Sequence, residues 1–284
     1  MTPEISQGEP GQPPRLRIYF LPNLLTSGNL FCGFIALTRI VEANEGSPDF
    51  NHTIRVALFF ILLACIFDLL DGRVARMGGN ESPFGRELDS LADLVSFGVA
   101  PAFLVHRIVL KDVFLNQQEV GWFIASIYLI CGALRLARFN CLANMPGGGG
   151  GSEFMGFPIP AAAGLVASLT LFMMWWDERG YRTGAWRYVL PCLLLFLSFM
   201  MVSEVKYPSF KKLDLRARRP FAKTVTAILF IGSLMILRNL VLPVILPVLF
   251  TSYLIYGLVR PRMSRQIIRG IEEEEEEEGA DPPG

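Results

Sequence analysis

Residues 56–76 read VALFFILLACIFDLLDGRVAR. Twelve apolar residues, Val56–Phe67, run without a polar break, and two aspartates, Asp68 and Asp71, follow. Within the longer block 54–72, such a run reaches the roughly 20 residues that carry a helix across a bilayer. Carboxylates are costly in or beside such a segment, so their presence there marks function. The chain then passes through Met77–Phe84, where Gly78, Gly79, Asn80 and Pro83 end a helix and turn the backbone. It returns as Gly85-Arg86-Glu87-Leu88-Asp89-Ser90-Leu91-Ala92-Asp93 and becomes apolar again. Residues three or four apart share a helix face. Asp68 and Asp71 therefore share a face of one helix, and Asp89 and Asp93 share a face of the next. An antiparallel hairpin brings the four carboxylates together at one end of the helix pair.

The rest of the chain extends this pattern. Of its 284 residues, 52% are hydrophobic and only 18% are charged; a soluble domain carries about a quarter charged residues. Apolar blocks near 20–42, 54–72, 90–110, 120–142, 157–177, 187–204, 221–238 and 240–258 predict an all-α integral membrane protein of about eight spans. Met1–Pro14 is polar and lacks an apolar signal core, so the first span is expected to act as an uncleaved signal. With the N-terminus in the cytoplasm, 18 of the 26 basic residues fall on the cytoplasmic side, among them Arg73, Arg76, Arg135, Arg138, Lys211 and Arg260. The basic residues track one side of the membrane, and no nucleic-acid partner is suggested.

Other features read as structural. Cys32, Cys65, Cys131, Cys141 and Cys192 lie in or next to apolar blocks with no CxxC spacing, and are expected to be reduced packing residues. His52 and His106 stand apart near span ends and read as loop positions. Five consecutive glycines, Gly147–Gly151, mark a loop between the fourth and fifth spans. Pro158 and Pro160 either kink the fifth helix or begin it. Glu272–Glu278 is a block of one charge and reads as a solvated tail.

Four convergent carboxylates repel one another at low dielectric, and cations relieve this. Hard oxygen ligands without histidine or thiolate suit Mg²⁺ or Mn²⁺. Two such cations form a clamp for phosphoryl chemistry. Gly72 lets a ligand approach the backbone, and Arg76 can grip phosphate oxygens in a bidentate manner. Arg135 and Arg138, one turn apart, are candidates for a lipid phosphate or an acceptor carboxylate, with the alternative of anchoring topology.

The spacing D-x-x-D-G-x-x-A-R-x8-G-x3-D-x3-D, complete from Asp68 to Asp93, resembles the signature of the CDP-alcohol phosphotransferases. The resemblance implies a six-helix membrane core over 20–204, two divalent cations and cytosolic access to the CDP group. It places Asp68, Asp71, Asp89 and Asp93 at the metal and Asp93 as general base. Asn23, Thr26, Asp68, Gly72, Ala75, Arg76 and Ser82 then belong to the CDP site. Leu21–Asn29, Leu134–Asn140, Phe157–Ala163 and Ser203–Lys211 are further similar to the phosphatidylserine synthases within that family. This implies CDP-diacylglycerol as donor, L-serine as acceptor, a homodimer, and a role for Arg135, Arg138 and Asn140 at the lipid phosphate or the serine. The remaining divisions are a tail over 1–19, a basic cytoplasmic loop over 205–220, two added spans over 221–260 and an acidic tail over 261–284. Another acceptor, such as glycerol 3-phosphate, an inositol phosphate or choline, stays open, as does a cation transporter built on the same aspartates.

Overall fold

A computed structural model describes residues 20–77, 82–110, 113–114, 117–143, 153–180, 188–208 and 243–259. The two tails, the glycine run, most of the basic loop and the seventh expected span (221–238) lie outside the described residues. The described chain is helical apart from one short antiparallel strand pair. Its helices are α1 (Phe20–Glu42), α2 (Phe50–Met77), α3 (Pro83–Asp93), α4 (Ala100–Val105), α5 (Gln118–Ala143), α6 (Ile159–Asp177), α7 (Val189–Val202) and α8 (Pro243–Val259). A π-helical segment, Leu94–Val99, joins α3 to α4, and a second, His106–Leu110, follows α4. The stretch Pro83–Leu110 is thus one long apolar helix with two widened turns.

Among the described residues, five helices are long and apolar enough to cross a membrane: Phe20–Glu42, Phe50–Ala75, Pro83–Leu110, Gln118–Ala143 and Ile159–Asp177. The chain is a multi-pass membrane protein. The sixth and eighth expected spans correspond to shorter apolar helices, α7 and α8. The third begins earlier than the block 90–110 implied, because Ser82 caps a helix start at Pro83 and accepts the Gly85 N–H at 3.0 Å. Asp89 and Asp93 consequently lie in the second and third turns of a helix, not at its start. The histidines also differ from expectation. His52 lies in the first turn of α2, and His106 sits in a π segment with its ring 4.5 Å from that of Trp122. His52 belongs to a helix because α2 starts before the apolar block that marks it, and His106 lies inside the helical stretch that the block 90–110 marks.

Small residues make the contacts between helices. Ala36, Ala57, Ala64, Ala100, Ala162 and Ala163 are fully buried. Without a hydrophobic drive between helices in lipid, close packing of small side chains supplies the association. Phe31, Phe34, Phe59, Ile66, Trp122, Phe123 and Phe199 point outward, the pattern of a surface solvated by lipid tails. Pro158 is the N-cap of α6 and Pro160 lies in its first turn, so these prolines begin the helix rather than kink it.

The two ends of the bundle differ. At one end Arg107 donates to the Ala43 carbonyl at 2.7 Å and lies 3.7 Å from Glu45, while Arg55 pairs with Glu178. At the other end meet the start of α1, the end of α2, the start of α3 and the end of α5. Strands β1 (Glu153–Met155) and β2 (Lys206–Pro208) pair there, with Phe154 opposite Tyr207. All of the expected site residues fall in this half.

Candidate active site

The acidic cluster is built by α2 and α3. Asp68 and Asp71 occupy one face of α2, and Asp89 reaches them from the opposing α3. Carboxylate oxygens of the three lie within 4.8 Å of one another. Asp71 is buried, and Asp68 and Asp89 are half-buried. Three hard oxygen donors this close in an apolar bundle fit a divalent cation such as Mg²⁺ or Mn²⁺. Among the described residues no thiolate or imidazole joins them, so the set suits a hard cation better than zinc or copper.

Asp93 is set apart from this trio. It is buried one turn further along, within hydrogen-bonding reach of Asp68. Its Oδ1 accepts a hydrogen bond from Asn29 Nδ2 at 3.0 Å, and both residues are buried. Asn29 is held in turn: Ser96 Oγ, from the π segment that follows Asp93, donates to the Asn29 carbonyl at 3.0 Å. Gly33 makes this contact possible, because a Cβ there would lie 2.2 Å from Ser96 Oγ. π turns recur at functional sites, and this one carries Ser96 from the third helix back onto α1. Sequence reading missed Asn29 and Ser96. The signal was present as an asparagine inside an otherwise apolar span.

At the mouth of the site the start of α1 meets the start of α3. Gly85 leaves room for Asn23 Oδ1 and Ser82 Oγ, each 3.2 Å from where its Cβ would stand. Asn23 Nδ2 is buried there with no hydrogen-bond partner among the described residues. Thr26, one turn below, is buried with its hydroxyl donating to the Pro22 carbonyl at 3.1 Å. Gly72 and Ala75 follow Asp68 and Asp71 on the same face of α2 at helical spacing and are half-buried. Arg76 lies in the last turn of α2, and its side chain is outside the described residues.

The three residues from α5 separate in role. Arg135 is 8% exposed, interacts electrostatically with Asp93 and Asp68, and has a buried Nε with no hydrogen-bond partner among the described residues. Arg138 turns away. Its guanidinium donates to the carbonyls of Val202 at 2.8 Å, Ser203 at 3.1 Å, Met201 at 3.3 Å and Met155 at 3.4 Å. It caps the end of α7 and ties β1 to it, satisfying carbonyls that a helix terminus leaves open. Asn140 donates to Ser90 Oγ at 2.9 Å and Glu87 Oε2 at 3.5 Å, fastening α5 to α3. The structure therefore brings Arg135 to the acids, and gives Arg138 and Asn140 partners within the protein.

Comparison with known proteins agrees with this geometry. The family profile of the CDP-alcohol phosphatidyltransferases matches residues 19–200. A CDP-diacylglycerol–serine O-phosphatidyltransferase from Helicobacter pylori is 33% identical over 243 residues, covering 86% of this chain and 91% of that protein. One of the same name from Bacillus subtilis is 34% identical, covering 68% of this chain and 92% of the relative. An archaetidylserine synthase from Methanothermobacter thermautotrophicus is 32% identical, covering 66% and 69%. An acidic cluster on a helical hairpin, a matching profile over most of the bundle and relatives aligned along most of their length agree: the chain belongs to the CDP-alcohol phosphatidyltransferase family.

Proposed function

We propose that this protein is a phosphatidylserine synthase, transferring the phosphatidyl group of CDP-diacylglycerol to L-serine and releasing CMP. The clustering of Asp68, Asp71 and Asp89 beside Asp93 carries the reaction class. The acceptor rests on the relatives, whose names share serine although one of them acts on a different lipid.

Asp68, Asp71 and Asp89, with Asp93 at their edge, are assigned to two divalent cations, Mg²⁺ or Mn²⁺. Bound there, such ions supply charge neutralisation for the diphosphate and for the departing nucleotide. Asn23, Thr26, Asp68, Gly72, Ala75, Arg76 and Ser82 are assigned to the CDP group, at the mouth and along the α2 face leading to the acids. Asp93 takes the proton from the serine hydroxyl. The hydroxyl oxygen forms a bond to the β-phosphorus, on the lipid side of the diphosphate. The bond from that phosphorus to the bridging oxygen breaks, and the electron pair leaves with CMP. Asn29 holds one oxygen of Asp93 so that the other meets the substrate. Arg135 receives a substrate oxyanion, while Arg138 and Asn140 hold the walls. The two ends of the chain and the site face the cytoplasm, following the basic residues. The protein works as a homodimer in the cell membrane.

The test is CMP release from CDP-diacylglycerol by purified protein with Mg²⁺ or Mn²⁺. L-serine is compared with glycerol 3-phosphate, inositol phosphate and choline, and Asp93→Asn serves as control. Serine-dependent release that Asp93→Asn lowers by at least about 10²-fold is expected. Release with another alcohol in place of serine would overturn the acceptor, and release undiminished in the variant would remove Asp93 from the role of base.

A further inference from the structure

Helix α8 lies wholly beyond residues 19–200, the part that the family profile matches. It is nonetheless seated deep against the bundle. Phe250 packs on Gly164 of α6, where a Cβ would stand 2.3 Å from the phenyl ring. Gly257 packs on Tyr207 of β2, where a Cβ would stand 1.9 Å from that ring. Between these contacts Tyr253 joins an aromatic group, its ring 5.8 Å from that of Phe157 and 5.9 Å from that of Tyr207. It also interacts electrostatically with Arg135.

Among the described residues, two polar atoms in this corner have no hydrogen-bond partner. The Nε of Arg135 is buried and unpaired, and so is the hydroxyl of the fully buried Tyr207. Burying such groups without a partner costs about 1–3 kcal/mol each, more for a charged group, so a ligand that satisfies them is expected. Burial, with the neighbouring Tyr253, pushes the Tyr207 phenol up to about 12, which leaves it a protonated donor at neutral pH. A guanidinium together with phenol hydroxyls that can donate offers positive charge and N–H and O–H donors, the complement of an oxyanion.

We propose that Tyr253 of α8, with Arg135 and Tyr207, forms the subsite that holds the carboxylate of the acceptor, and that α8 thereby sets acceptor specificity. The placement follows from the acids. Asp93 and Asp68 both interact electrostatically with Arg135. In serine only two carbons separate the hydroxyl oxygen from the carboxylate carbon. A cation beside the residue that takes the hydroxyl proton is therefore placed to hold the carboxylate of the same molecule. The diphosphate has its own site at the three clustered aspartates. A core common to many acceptors carries the shared chemistry, and a helix added outside it is where a choice among acceptors is built.

This inference rests on the proposed serine transfer. Its test is CMP release by the full-length protein in detergent with CDP-diacylglycerol, titrating L-serine and L-serinamide, whose carboxamide carries no charge. The wild type is expected to prefer serine. Tyr253→Phe is expected to raise the KM for serine about tenfold, the loss expected of one hydrogen bond to a charged group. It should narrow the preference over serinamide and leave the KM for CDP-diacylglycerol within about twofold, a binding shift without loss of the donor site. That unchanged donor KM also shows that the variant is folded. Tyr207→Phe should act in the same direction. An unchanged serine KM in both variants, or a rise in the CDP-diacylglycerol KM in its place, overturns the subsite while leaving serine transfer intact. A wild type that releases no CMP with serine overturns both.

Discussion

Asn29 shows how much a single buried amide can decide. Its Nδ2 holds Asp93 at 3.0 Å, while its backbone carbonyl is held by Ser96. Removing the amide leaves that oxygen of Asp93 unheld. Asn29→Ala is expected to lower kcat by about 10- to 100-fold, the range typical of groups that orient a reacting residue. The KM values for both substrates should change little, because Asn29 is placed on the base and not on a substrate. A change confined to KM would remove it from that role. The acidic trio sets a second expectation at this scale. Chelation with EDTA should abolish CMP release, and Mg²⁺ or Mn²⁺ should restore it. The same additions should raise the melting temperature of catalytically silent Asp93→Asn protein, by mass action on the folded state. Activity that survives exhaustive chelation would exclude the assignment.

Among the elements, the turn from β1 into α6 is the most constrained. Gly156 has a φ of 76°, and a Cβ there would lie 2.2 Å from the Met201 carbonyl oxygen and 2.9 Å from Arg138 Nη2. Left-handed backbone costs a residue with a side chain about 1–2 kcal/mol, and the clash adds to this. Gly156→Ala is therefore expected to lower thermal stability measurably. Arg138→Ala should do the same by about 2 kcal/mol or more, since it strips a charged donor from the end of α7. The reading of Arg138 as a structural clamp makes a further distinction. Protein that stays folded at low temperature should keep its KM for serine and for CDP-diacylglycerol within a few-fold. A selective rise in either KM would return Arg138 to the substrate site.

For the whole molecule the chief consequence is orientation. The loop between α1 and α2 and the end of α5 lie at opposite ends of the bundle, so Ser47 and Cys141 report on opposite faces of the membrane. In a cysteine-free background, Ser47→Cys is expected to react with an impermeant maleimide added to intact cells. Cysteine restored at 141 should react only after permeabilisation. The reverse pattern would place the site, and the access route for CDP, on the outer face.

The membrane class and the hairpin of aspartates were legible in the chain because both follow from local rules. A bilayer requires long apolar helices, and a helix places residues three and four apart on one face. Asp68, Asp71 and Asp89 therefore came together as spacing alone required. Helix limits were less legible, since α2 and α3 extend past the apolar blocks into polar sequence, and α3 starts at a cap on Ser82 and not where hydropathy rises. What the tertiary structure decided is the division of labour among polar side chains in apolar surroundings. Arg135 and Arg138 stand one turn apart on one helix, yet one faces the acids and the other caps α7. Asn29 meets Asp93 across 64 positions of chain, and Tyr253, outside the family core, packs against Phe157 and Tyr207. A buried polar group takes whichever partner the packing of distant helices brings within about 3 Å, and sequence spacing along one helix carries no record of that choice.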